Sequence, residues 1–179
     1  MGYNQPMETA IVLAMHGAPP NDFPGQELAE YFGLHARIER AAEKERAALA
    51  SRHDELEARM RAWPRTAAND PFHAGSLAIA QALANVSGLA VILGFNEFCA
   101  PSLEESLGQA ALEYRRVIVV TPMLTTGGEH AGADIPAAIE RARIRHPRID
   151  FRYAWPFEPA DVAAFLAAQV KKTAGRPRP

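Results

Sequence analysis

The sequence predicts an α/β fold: a single open, four-stranded parallel sheet with helices on both faces, plus a long helical insertion after the first strand. Three observations predict it. Apolar, β-branched runs recur at "TAIVLAM" (9–15), "LAVILGF" (89–95) and "RVIVVTPML" (116–124), and none alternates strictly, as expected of strands buried on both faces. Helical segments with readable start and stop residues separate these runs. One stretch, 26–63, is longer and more charged than a minimal crossover needs.

Taken in order, the first strand (9–15) ends at "AMHG" and delivers His16. The stretch "QELAEYFGLHARIERAAEKERAALASRHDELEARMRAW" reads as one long helix or a helix pair. Ile38, Ala42, Leu49, Leu56, Met60 and Trp63 form a loose apolar stripe along it. Its simplest reading is a solvated helix resting on the sheet or on a partner. "NDPFHAGSLAIAQALANVSG" is the next helix, with Asp70 as N-cap, Pro71 at the first helical position and Gly88 as the stop. The second strand delivers Asn96 and Glu97. "APSLEESLGQAALEYRR" repeats the start device with Pro101, and two arginines close its C-terminal end, where the helix dipole favours cations. The third strand delivers Thr121 and then a glycine-rich loop holding Glu129 and His130. "ADIPAAIERARIRH" starts from Asp134 as N-cap and ends before Pro147. "IDFRYAW" (149–155) alternates and suits an edge strand. The last helix, "EPADVAAFLAAQVKK", places Val162, Phe165 and Leu166 on one face. The expected organisation is one domain over 1–172, with the insertion at about 26–65 and a flexible tail at 173–179.

Composition narrows the function. Apolar residues make up 48% and charged residues 22%, ordinary for a globular domain. A net charge of −2 and a pI near 6.3 leave no basic footprint for nucleic acid. No apolar run is long enough to span a membrane. One cysteine, Cys99, excludes an internal disulfide and makes a reducing cytoplasm the expected setting.

Open parallel sheets bind ligands outside the carboxyl ends of their strands. The strand ends here carry His16, Glu97 and His130. Each also has a plain reading: His16 as a turn residue, Glu97 as a helix cap, His130 as an exposed loop residue. Together, two imidazoles and a carboxylate form a ligand set suited to Co²⁺, Fe²⁺, Ni²⁺ or Zn²⁺. His35, His53, His73 and His146 read as surface residues, and Cys99 as a buried structural thiol. Other sites drop out. Met15 stands where a histidine phosphatase has Arg, and "HGAPPN" lacks the glycines of a dinucleotide or phosphate loop. No G-x-S-x-G nucleophile elbow occurs.

"IVLAMHG", "FNEFCAPSLEESL" and the segment from "RVIVVTPMLTTGGEHAGADIP" to "RYAWPF" together resemble the small class II chelatases. These are the CbiX-like sirohydrochlorin cobalto- and ferrochelatases. The resemblance covers residues 9–20 and about 89–170, and is most specific at E-x-x-x-P-S-L and G-x-H-x-x-x-D-I-P. It implies ATP-independent insertion of Co²⁺, Fe²⁺ or Ni²⁺ into a tetrapyrrole such as sirohydrochlorin, in cobalamin or siroheme biosynthesis. His16 and His130 would be the paired active-site histidines and Glu97 the active-site carboxylate. Phe95, Phe98, Met123 and Leu124 would press on the macrocycle face. The metal is the substrate, no organic cofactor is expected, and a homodimer is implied.

The sequence departs from that family in two places. Where it usually continues H-G-S-R, this chain has "HGAPP", and the helical segment 26–63 is an insertion. These departures leave two other readings open. One is a non-catalytic metal-, haem- or tetrapyrrole-binding protein on the same scaffold. The other is an interaction protein whose long charged helix is the working part.

Overall fold

A computed structural model describes residues 7–38 and 40–175. Four strands, β1 (Met7–Met15), β2 (Ala90–Phe95), β3 (Tyr114–Val120) and β4 (Asp150–Tyr153), form one sheet in the order β2-β1-β3-β4. Every pairing is parallel. The register aligns Met15 with Phe95 and Leu13 with Val120, so the first three strands end along one edge. The chain leaves β1 toward β2 on one side and returns to β3 on the other. That reversal of direction between β1 and β3 opens a crevice beyond their carboxyl ends.

Each face of β1 is buried, which explains the unbroken apolar run. Val12 and Ala14 pack with Val117 and Val119 of β3 against α4 (Leu103–Glu113) and α5 (Ile135–Arg145). Leu13 and Met15 face the opposite way, into a second core containing Tyr31, Leu56 and Met60. Those residues come from α1 (Gly25–Ile38) and α2 (Glu43–Arg61), with α3 (Pro71–Ser87) beside them.

The insertion is therefore a helix pair folded onto the sheet. Arg52 of α2 grips Glu30 of α1 with two hydrogen bonds of 2.9 Å, and Arg59 pairs with Glu27, so the helices run antiparallel. These pairs are exposed, where water and salt screen them, so they add little to stability. Burial supplies more. Leu56 and Met60 are fully enclosed, whereas Ala42 of the expected stripe is exposed. Only the C-terminal half of that stripe meets the domain.

Several elements differ from the expected boundaries. α3 keeps its Asp70 cap, whose carboxylate accepts from the His73 N–H at 2.8 Å, and its left-handed Gly88 stop. α4 does not start on Pro101. Its N-cap is Ser102, in a reciprocal capping box with Glu105, which satisfies backbone donors that a proline cannot serve. The arginines expected to close that helix, Arg115 and Arg116, lie in β3, because Tyr114 already pairs with Met7. β3 ends at Val120, so residues 121–124 leave the sheet as a loop. Asp134 caps nothing: it sits in helical geometry inside a π-helical turn, His130–Asp134, that runs straight into α5. α6 (Pro159–Ala174) extends past the expected domain boundary at 172, and the rest of the expected tail, 176–179, lies outside the described residues. Among the described residues no helix is long and apolar enough to cross a membrane.

If α2 is part of the core, Leu56→Ala will lower the unfolding free energy by about 2–5 kcal/mol in denaturant titration. A loss of under about 0.5 kcal/mol, the level of a surface substitution, would show the helix pair to be an appendage.

Candidate functional site

His16, Glu97 and His130, carried by the loops after β1, β2 and β3, converge in space. One ligand atom from each lies within 4.8 Å of the other two, and all three residues are partly buried. The imidazole rings of His16 and His130 meet edge to face, with centroids 4.4 Å apart. His16 Nε2 stands 3.9 Å from Glu97 Oε2.

Hydrogen bonds fix which ring nitrogens face inward. His16 Nδ1 lies 2.8 Å from the Gly17 carbonyl, which can only accept, so Nδ1 carries the proton and Nε2 offers its lone pair. His130 Nδ1 lies 2.6 Å from Asp134 Oδ2, and the same logic leaves its Nε2 free. A carboxylate behind an imidazole orients the ring and raises its basicity, the usual outer partner of a metal-binding histidine. Asp134 thus supports the site instead of capping the helix. Its four-residue spacing from His130 was visible, but a capping role on a loop-to-helix junction obscured it.

The His130 turn is tied down from β4. The Tyr153 hydroxyl donates to the Ala131 carbonyl at 2.9 Å, and Trp155 Nε1 donates to the Met123 carbonyl at 3.1 Å. Burial pushes the Tyr153 pKa up to about 12, so the phenol stays a donor. Thr121 is buried and its hydroxyl accepts from the Met123 N–H at 3.3 Å, which makes it part of the turn's scaffold.

The other two loops are held against each other. Gly17 has a positive φ of 100°, and a Cβ there would lie 1.9 Å from the Glu97 carbonyl oxygen. The Glu97 N–H donates to the His16 carbonyl at 2.9 Å. Two arginines from the insertion and its exit close the arrangement. Arg61 donates to the carbonyls of Asn96 (2.8 Å) and Cys99 (2.7 Å), and Arg65 to those of Ala18 (2.8 Å) and Phe98 (2.6 Å). Arg65 also pairs with Asp70, and both side chains are buried. No sequence motif flags these arginines; only the need to satisfy buried loop carbonyls does.

The expected macrocycle-pressing residues need correction. Phe95 is fully enclosed and Phe98 nearly so, both in the second core: Phe95 ends β2 in register with Met15, and the loop turns at Phe98 (φ 60°). Neither ring can form an exposed rim. Met123 and Leu124 are half-buried, and Met123 packs on the first core. What adjoins the trio is a crevice of about 460 Å³ whose wall mixes charged groups, such as Arg61, Glu105, Asp134 and Arg141, with apolar Leu103 and Ala137. Ser102 holds the Glu105 carboxyl below its usual range through hydrogen bonds from its N–H and its hydroxyl. Cys99 is buried, and burial pushes its thiol pKa up, which suits a structural role. The remaining histidines do not join the trio. His35 and His53 bond each other at 3.2 Å beside Tyr31, with His53 largely enclosed instead of at the surface, and His73 stacks on Phe95.

The CbiX family model matches residues 71–173, more than half of the chain. The chain belongs to the CbiX family. The matched span holds Glu97, His130 and Asp134 but not His16 or the inserted helix pair. This CbiX-family chain is also similar in structure to the CbiX protein of Marinobacter aquaeolei VT8, with a TM-score of 0.51 and 18% identity over 94% of this chain and 99% of that one. That likeness is one of fold, and it extends to nearly the whole chain. The sirohydrochlorin chelatase SirB from Bacillus subtilis subspecies spizizenii, in complex with cobalt, aligns at 21% identity over 84% of this chain and 44% of its own, TM-score 0.44. SirB from Bacillus subtilis with Fe³⁺ aligns at 19% identity over 96% and 49%, TM-score 0.47. The CbiX-family chain thus spans about half the length of either SirB chain. No curated protein sequence matches it.

Gly17→Ala will test the loop contact. Positive φ costs an alanine about 1–3 kcal/mol, and overlap with the Glu97 carbonyl adds to it. A clearly lowered thermal unfolding midpoint is expected, and an unchanged one would show that the loops do not meet in solution.

Proposed function

We propose that this protein inserts a divalent metal ion into a tetrapyrrole without ATP, with His16, Glu97 and His130 as the groups that hold the incoming metal. The observation that carries the proposal is the convergence of two Nε2 lone pairs and a carboxylate from three separate loops. Membership of the CbiX family supports it.

The chemistry asks two things of the site. The metal, as substrate, must be held with coordination positions left open for pyrrole nitrogens, which three protein ligands permit. The macrocycle must lose two N–H protons as the metal enters. Glu97 and the two imidazoles, released as the metal passes to the pyrrole nitrogens, are the bases at hand, and proton transfer to positioned groups of this kind contributes about 10²–10⁴-fold. Asp134 stabilises the imidazolium formed when His130 takes a proton. The crevice beside the trio sets Arg61 and Arg141 among the carboxylates of Glu97, Glu104, Glu105 and Asp134, so its wall offers a bound macrocycle both cationic and anionic groups. Sirohydrochlorin is the substrate we favour, and Co²⁺, Fe²⁺ or Ni²⁺ the metal.

A cytoplasmic setting fits the single, buried thiol. A homodimer would give α6 a partner: none of its residues is buried, and Phe165, Leu166 and Val170 are 54%, 52% and 67% exposed. One competing reading is a protein that binds metal or tetrapyrrole without turnover, since "HGAPP" stands where the family has H-G-S-R and a helix pair is inserted after it.

A spectroscopic assay separates the two. Purified protein with free-base sirohydrochlorin and Co²⁺ should accelerate metallation over buffer, and His130→Ala should lose about 10²–10⁴ of the rate while keeping the fold. Stoichiometric binding without turnover would support the binding protein. No acceleration with Co²⁺, Fe²⁺ or Ni²⁺ would end the chelatase reading.

A further inference from the structure

We infer that Arg61, carried by the inserted helix α2, is a positioning residue that sets where Glu97 stands in the metal site. The inference rests on the metal-holding role proposed for His16, Glu97 and His130.

Glu97 sits in a short loop, 96–99, that belongs to no strand or helix. Its path is demanding. Phe98 adopts a positive φ of 60°, a conformation that residues other than glycine seldom take, and the Cys99 N–H folds back onto the Glu97 carbonyl at 2.6 Å. Arg61 brackets this turn. Nη1 donates to the Cys99 carbonyl at 2.7 Å and Nη2 to the Asn96 carbonyl at 2.8 Å, so one planar guanidinium spans the residues on either side of Glu97. The guanidinium is itself aimed by Glu57, one helical turn earlier, which accepts from Nε at 2.9 Å and Nη2 at 2.6 Å. The side chain is only 20% exposed.

Charge alone does not explain an arginine here. It lines the same crevice as Glu97 and His130, and a cation beside a metal-binding trio opposes the incoming ion. Glu57 offsets that charge at contact distance. What remains is geometry: two parallel N–H donors at fixed separation, which a lysine ammonium cannot present. The insertion thereby acts on the site through one side chain.

The test is Co²⁺ titration of the full chain, followed by its d–d absorption, for wild type, Arg61→Ala, Arg61→Lys, Glu57→Gln and Glu97→Ala, with circular dichroism and thermal unfolding on each. A purely structural staple would lower the unfolding midpoint but leave the spectrum of the saturated site unchanged. A positioning residue alters that spectrum. Arg61→Lys is expected to stay folded, bind Co²⁺ about 10–100-fold more weakly and give an altered d–d band at saturation. Glu57→Gln should shift both readouts in the same direction. If Arg61→Ala does not fold, Arg61→Lys and Glu57→Gln decide the question. Wild-type affinity and spectrum in Arg61→Lys and Glu57→Gln, with binding lost in Glu97→Ala, would overturn this inference and leave the chelatase reading standing. Failure of wild type to bind Co²⁺ would overturn both.

Discussion

The carbonyl oxygen of Glu97 occupies the space that a side chain at position 17 would need. That contact brings the loop after β1 against the loop after β2, and much of the site depends on it. With Gly17 at positive φ, the His16 carbonyl can accept from the Glu97 N–H, and the His16 ring can turn its Nδ1 onto Gly17. Nε2 is then left facing the Glu97 carboxylate. The parallel sheet brings the strand ends to one edge; the glycine lets two of its loops close on each other.

Such a contact buries loop carbonyls that no strand or helix can satisfy, and leaving one unpaired costs about 1–3 kcal/mol. The inserted helices meet that demand. Their buried residues complete the second core under Leu13 and Met15, and their C-terminal end presents Arg61 and Arg65 to carbonyls of both loops. Breaking a buried pair such as Arg65–Asp70 by removing one member is strongly destabilising, so this link also ties α3 to the rim. The third loop is secured from the opposite side by Tyr153 and Trp155. The trio therefore lies where both cores and all four strands contribute supports.

Much of this was legible in the sequence. Unbroken apolar runs marked the strands, because burial on both faces removes alternation, and the segments that follow the strands already included His16, Glu97 and His130. Asp70 and Gly88 marked a helix by local chemistry that the fold did not override. Other features depend on where the backbone turns. Phe95 and Phe98 read as a rim only if the chain continues outward, but Phe95 lies beside Met15 on the sheet face covered by the second core, and the chain turns at Phe98, whose ring is buried there too. Asp134 looked like a cap because Asp is a favoured N-cap residue and a proline follows in the first helical turn; the π-helical turn that aims it at His130 leaves no sequence mark. Arg61 and Arg65 are hidden for another reason. Their partners are backbone carbonyls roughly thirty to fifty residues away, and carbonyls have no sequence identity.

Whether the segments after β1, β2 and β3 assemble one metal-holding centre is decided by a crystal structure of the protein with Co²⁺, located by anomalous scattering. Cobalt is expected on Nε2 of His16, Nε2 of His130 and a carboxylate oxygen of Glu97, with the Nδ1 contacts to Gly17 and Asp134 kept. Cobalt bound through Nδ1 of either histidine, or found only elsewhere on the chain, would contradict it.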